Sequence, residues 1–208
     1  MYLEELSDKV WKTKNARFVA CRRMKRSRNS STVSVALLSF SIIAINMLAF
    51  FNVGEKINSV ISIVTVVLST FALVMSLLIS HLRYEFREDN YQQCGRELDN
   101  LNQLIQIKIR ELCEGNTSMP GKESSLEDNL KYLNEYNAIL AKFNLNHTDF
   151  DFKYSLLGTG ESPIELLSLV KYKLRWYIFD ANMLYWILAI VPIVGVVYAY
   201  VKIVPTIM

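Results

Sequence analysis

The sequence predicts an all-α membrane protein: a two-span helical hairpin, a long cytoplasmic helical stalk and bundle, and a third span near the C-terminus. Three observations carry this. Residues 33–53 and 60–80 are two runs of twenty-one residues without one ionisable side chain. At about 1.5 Å per residue, each spans roughly 30 Å of hydrocarbon. Lysine and arginine gather on one side of these runs, and beyond them apolar residues recur at alternating three- and four-residue steps. The 51% apolar content of the 208 residues is therefore an average over oily blocks and charged ones.

The chain divides by this pattern into a basic N-terminal helix (1–32), the two-span hairpin (33–80), a cytoplasmic helical region (81–182) and a C-terminal stretch (183–208). Thirty-two mostly polar residues precede the first apolar run, so it is expected to be a retained span rather than a cleavable signal. Between the spans, "GEKINS" (54–59) reads as a six-residue turn opened by glycine. The third block, 184–201, is eighteen residues long and contains Pro192 and Gly195, which membrane helices tolerate.

Orientation follows from the positive charges. Residues 1–32 carry nine lysines and arginines, whereas the hairpin turn carries only Lys56. This places the N-terminus and residues 81–182 in the cytoplasm of a multi-pass inner-membrane protein, with the C-terminus outside. The net charge of +3 conceals a segment at +6 (1–32) and one at −4 (81–182). Within the first, Arg22, Arg23, Lys25, Arg26 and Arg28 abut a span, so they read as a topology and anionic-lipid signal rather than a nucleic-acid patch. Cys21, Cys94 and Cys113 lack the spacing of a zinc or redox motif and are expected to be reduced thiols.

In the cytoplasmic region, Tyr91, Cys94, Leu98, Leu101, Ile105 and Leu112 form an a/d seam. One long helix is expected from about Val60 to Cys113, leaving the membrane as a stalk. "EGNTSMPGKES" (114–124) stops it, and a second helix starts at Ser124, with Glu127 completing a capping box. Leu126, Leu130, Leu133 and Leu140 should form its core stripe, widened by Tyr132, Tyr136, Ile139 and Phe143, and the helix should fold back on the stalk. Residues 144–162 read as a loop. Ser162, Pro163 and Glu165 then open a helix running into the third span.

Chemistry-bearing motifs are scarce. There is no phosphate-binding glycine loop, nucleophile elbow or HExxH pair, and no catalytic residue, cofactor or metal is expected. His147, Asp149 and Asp151 lie within five loop residues, where such side chains more often make turns and caps than a metal site. The spans do carry a polar pattern. Asn58, Ser62, Thr65, Ser69, Ala72 and Ser76 lie on one seam of the second span, and Thr32, Ser39 and Asn46 are spaced by seven on the first. Such a seam serves helix packing in a hairpin or homo-oligomer, or lines a pore of weak ion selectivity.

Taken together, "ARFVACRRMKR" (16–26), the hairpin at 33–80 and "NHTDFDF" (146–152) resemble the SLATT family, the SMODS and SLOG-associating two-transmembrane effectors of prokaryotic conflict systems. Asn146, His147, Asp149 and Asp151 fall in the segment similar to that family's Asn-His then Asp-aromatic signature. With its C-terminal extension, the chain is similar to the subfamily encoded beside reverse transcriptases. The resemblance implies an antiphage membrane effector that oligomerises and permeabilises the bilayer when a sensor signals infection. That sensor would be a nucleotide second messenger, a reverse transcriptase or another defence protein. A non-toxic membrane anchor or scaffold would need the same spans.

Overall fold

The computed structural model describes residues 2–48, 54–115 and 126–156, together with 174, 185–187, 190, 192–195 and 198. Five α-helices follow in order: α1 (Tyr2–Leu48), α2 (Glu55–Leu82), α3 (Tyr84–Gly115), α4 (Leu126–Phe143) and α5 (Asp149–Leu156). No strand occurs among the described residues. The chain separates into two compact units, one of Met1–Met24 with Glu85–Tyr172, the other of Lys25–Tyr84 with Lys173–Met208.

In the first unit, α1, α3 and α4 close around one apolar core. Leu3, Leu6 and Val10 of α1 meet Cys94, Leu98, Leu101 and Ile105 of α3 and Tyr136 and Ile139 of α4. The expected seam of α3 is thus the centre of this core, with Leu112 at its edge. Its neighbours are helices of the same chain, and the N-terminal helix is one of them. Polar ties frame the core. Ser7 Oγ donates to Asn102 (3.0 Å), Lys14 reaches Asp99 (2.9 Å), and the hydroxyls of Thr13 and Tyr136 lie 3.0 Å apart. Gly95 lets α1 come close, since a Cβ there would lie 2.9 Å from Phe18 Cε1.

The helix α4 does pack back on α3 over most of the expected stripe, with Tyr132, Leu133, Leu140 and Phe143 against the core and only its first turns left out. Tyr136 and Ile139 are buried, whereas Leu126 and Leu130 are 75% and 49% exposed. Tyr136 is further tied in by its hydroxyl, 3.0 Å from that of Thr13, and its ring lies under the Lys9 ammonium, 5.4 Å from the centroid. Asn144 ends α4 in the left-handed region (φ 41°), its N–H donating to Leu140 O. Asparagine tolerates that conformation better than most residues.

In the second unit, α2 is longer than its apolar run. It begins at Glu55, directly after Gly54 (φ 96°), so most of the expected six-residue turn is helix. Glycine suits that φ because it has no Cβ to clash. The single helix expected over 60–113 is two helices. α2 stops at Arg83, which takes φ 46°, ψ 46° and donates its N–H to Ser80 O. A left-handed cap of this kind closes a helix without a glycine or proline to announce it.

Both apolar helices leave large side chains uncovered. Val60, Ile63, Val66, Leu73 and Leu77 of α2 and Phe40, Ile43 and Met47 of α1 are all more than half exposed. Such a continuous apolar surface is untenable in water and suited to lipid. α1 and α2 are each long and apolar enough to cross a membrane. Half of the expected third span, 184–201, and the caps at Ser124 and Ser162 lie outside the described residues. Tyr185 is described, buried, with its hydroxyl 3.1 Å from that of Tyr84.

The shared core makes a direct prediction. Leu98 is fully buried between three helices, so Leu98→Ala should cost about 2–5 kcal/mol. The check is a lowered unfolding midpoint of the full chain in detergent micelles.

Candidate functional site

The segment 144–162, expected as a loop, contains the helix α5, and its start explains the "NHTDFDF" stretch. Thr148 and Asp151 form a reciprocal capping box. The Thr148 N–H and hydroxyl donate to Asp151 Oδ2 (3.0 and 2.8 Å), and the Asp151 N–H donates back to Thr148 Oγ1 (3.3 Å). Such pairing satisfies donors that a helix start leaves open. The T-x-x-D spacing was the signal in the sequence that α5 begins here.

Asp151 does more than cap. Its side chain is fully buried, and Arg23 of α1 grips both carboxylate oxygens, Nε to Oδ1 at 3.0 Å and Nη2 to Oδ2 at 2.9 Å. A bidentate guanidinium pair offsets the cost of burying a carboxylate. The rest of the stretch is held from α3, where the Tyr91 hydroxyl donates to Asn146 O (2.8 Å). His147 stacks on Phe152 with centroids 5.9 Å apart. Asp149 is exposed. Both oxygens of Asp151 are therefore committed to protein donors.

Next to this clasp lies an ionised side chain in the core of the first unit. Arg17 is 4% exposed and its guanidinium rests over the Tyr91 ring, 5.9 Å from the centroid. Burial first, and the Arg17 charge second, push the His147 pKa below its usual 6.5, against an opposing pull from Asp151 and Asp149. The imidazole is therefore neutral at pH 7. Burial likewise pushes the Cys94 thiol up, with Arg17 partly opposing.

The basic residues expected at the lipid surface divide. Arg22 and Lys25 are exposed, Arg26 and Arg28 are half-buried, and Arg23 is turned onto Asp151. The polar seam of α2 divides too. Asn58, Thr65 and Ala72 share the half-buried face of α2 with Ile61, Leu68 and Met75, while Ser62, Ser69 and Ser76 lie on its exposed side. On α1, Thr32, Ser39 and Asn46 are exposed.

The serines of α1 that are buried were not part of the expected stripe. Ser27, Ser31, Ser34 and Ser41 all lie in the interior of the second unit. Ser34 and Ser41 donate to the carbonyls four residues back (2.7 and 2.8 Å), and Ser31 donates to Arg28 O (2.8 Å). A hydroxyl satisfied by its own helix can be buried among apolar groups at little cost. Their three-four spacing with Met24 and Leu38 was legible, but an eye searching for apolar residues passes over it.

These elements define a helical membrane protein with two apolar helices of spanning length and a separate helical unit built on a buried ionic clasp. The chain belongs to the SMODS and SLOG-associating 2TM effector domain family 5, whose family model matches residues 1–198. This agrees with the resemblance read from the sequence, and places it among two-transmembrane effector domains. No curated protein and no solved structure matches the chain.

The clasp predicts strong coupling between α1 and α5. Asp151→Ala or Arg23→Met should each destabilise the protein by about 3–5 kcal/mol, because each removes the opposite charge of a buried bidentate pair. The double variant should lose markedly less than the sum, as read from a double-mutant cycle of unfolding midpoints.

Proposed function

We propose that this chain is the membrane effector of a prokaryotic antiphage defence system, which oligomerises in the inner membrane and permeabilises it when triggered, arresting or killing the cell. The family supports the effector role. The observation that carries the pore reading is the placement of the α2 hydroxyls. Asn58, Ile61, Thr65, Leu68, Ala72 and Met75 occupy the face that α2 uses within its own unit. Ser62, Ser69 and Ser76 lie beside that face and are left over from it. A polar edge unused by the hairpin and flanked by lipid-facing Ile63, Val66 and Leu73 is suited to contact between copies. Assembly around that edge would bring hydroxyls of several copies together, and a ring of neutral hydroxyls would pass ions with little selectivity.

In this reading the N-terminus and residues 81–182 lie in the cytoplasm and the C-terminus outside, as the positive charges direct. The first unit, which carries no apolar run of spanning length, is the part available to a sensor. A nucleotide second messenger, a reverse transcriptase or another defence protein would act there. The second reading, a non-toxic anchor or scaffold for a cytoplasmic partner, uses the same helices without permeation.

Replacing Ser69 and Ser76 by leucine separates the two. Both positions are exposed in the single chain, so the double variant should insert and fold as the native protein does. Membrane potential and dye entry are then followed in cells carrying the chain with its genomic neighbours during phage challenge. A pore predicts depolarisation on challenge that the double leucine variant abolishes. Depolarisation unchanged in the variant would reduce the stripe to packing, and none in either protein would favour the scaffold.

A further inference from the structure

Arg17 occupies a position that a charged side chain rarely holds without a counter-ion. It is 4% exposed, and its Nε and Nη1 have no hydrogen-bond partner among the described residues. Those two atoms carry three N–H donors. An ionised group removed from water costs several kcal/mol unless it is paired, and a cation over an aromatic ring recovers only part of that. Two carboxylates are buried among the described residues of this unit: Asp151 is committed to Arg23 and Thr148, and Glu88, one turn before Tyr91 on α3, also has a partner. Close by, His147 Nδ1 is also buried without a partner among the described residues. Tyr91 joins the two, its ring under Arg17 and its hydroxyl on the carbonyl of Asn146, the residue before His147. A buried cation and a neutral imidazole therefore lie around one tyrosine, both with unused hydrogen-bonding capacity.

We propose that Arg17 and His147 form a buried anion site in the first helical unit that takes a phosphoryl group. The guanidinium supplies charge and donors for phosphoryl oxygens. The neutral imidazole discriminates among anions. Inorganic hydrogen phosphate offers both bare oxygens and a P–OH, so it can satisfy Nδ1 whether that nitrogen donates or accepts, whereas a phosphomonoester dianion satisfies it only as a donor. Carboxylate and chloride have no proton to give. Binding would supply the counter-charge that Arg17 lacks and fix the Asn146–His147 turn onto α3. The site is independent of the pore reading, because it lies in the unit without the apolar spans and its readout is binding.

The test uses the full chain in detergent micelles, with unfolding midpoints followed as sodium phosphate is added at ionic strength held constant with sodium chloride. The native protein should show a saturable rise of about 5 °C or more, since a ligand bound only to the folded state stabilises it by mass action. Arg17→Met should show no such rise, yet in phosphate-free buffer it should be at least as stable as the native protein, because the uncompensated charge is gone. His147→Phe, which retains the stack on Phe152, should shift the phosphate response to higher concentration. Equal responses in native protein and Arg17→Met, or no saturable response in the native protein, would overturn the proposal. Should Arg17→Met fail to fold, equilibrium dialysis of radiolabelled phosphate against the native chain decides: one phosphate per chain supports the site, and none refutes it. Nanodiscs of phosphatidylcholine with and without phosphatidic acid identify the source. Stabilisation by phosphatidic acid alone, lost on dilution of that lipid, assigns a lipid headgroup, and stabilisation by free phosphate in either disc assigns a soluble ligand.

Discussion

One helix imposes the main constraint on this molecule. α1 keeps a buried position at every alternate three- and four-residue step from Leu3 to Ser41. Its first half contributes to the unit that carries the clasp and its second half to the unit that carries the apolar runs. A seam with that spacing normally carries leucine and isoleucine. Here it holds Thr13, Arg17, Ser27, Ser31, Ser34 and Ser41 as well, and each needs its own solution. Thr13 finds Tyr136, the serines with assigned bonds use their own helix, and Arg17 rests on Tyr91. The buried polar groups thereby select which neighbours α1 accepts, while the apolar members supply most of the driving force.

This explains how the family-like stretch at 146–152 acts. Its residues make a small helix start whose cap, Asp151, is also the counter-ion of Arg23. The clasp holds α5 against α1, and Tyr91 of α3 holds the preceding turn. Loss of either charge would remove the opposite charge of a buried pair, so the clasp is a cooperative element rather than a sum of surface contacts. The bulk of the surface ion pairs, such as Lys12 with Asp8, contribute little by comparison.

Much of the architecture was legible because hydrophobic runs and charge blocks are strong signals. The two apolar helices, the α3 seam from Tyr91 to Ile105 and the return of α4 all follow from spacing alone. What escaped depends on pairing at long range or on backbone conformation. Nothing in "SHLRYEF" marks Arg83 as left-handed, since arginine has no intrinsic preference for that region. That α4 would bury Tyr136 most deeply and leave Leu126 and Leu130 exposed depends on Thr13 and Lys9, more than a hundred residues away, which meet Tyr136. Arg23 was read as one of five lipid-facing cations because its partner lies 128 positions along the chain. The hydroxyl stripe was read as a single seam, yet the structure divides it between a half-buried face and an exposed edge, a distinction that needs the neighbours of α2 and not its own sequence.

The proposed topology puts the helical unit carrying the clasp in the cytoplasm and the apolar helices in the bilayer. Cys113, exposed near the end of α3, reports on it directly. Cys94 is buried and slow to ionise, and Cys21 can be removed by Cys21→Ser. A membrane-impermeant maleimide should then label Cys113 in inverted inner-membrane vesicles and leave it unmodified in intact spheroplasts. Labelling from the outside of spheroplasts would contradict the account, because it would place the clasp and the proposed anion site on the far side of the membrane.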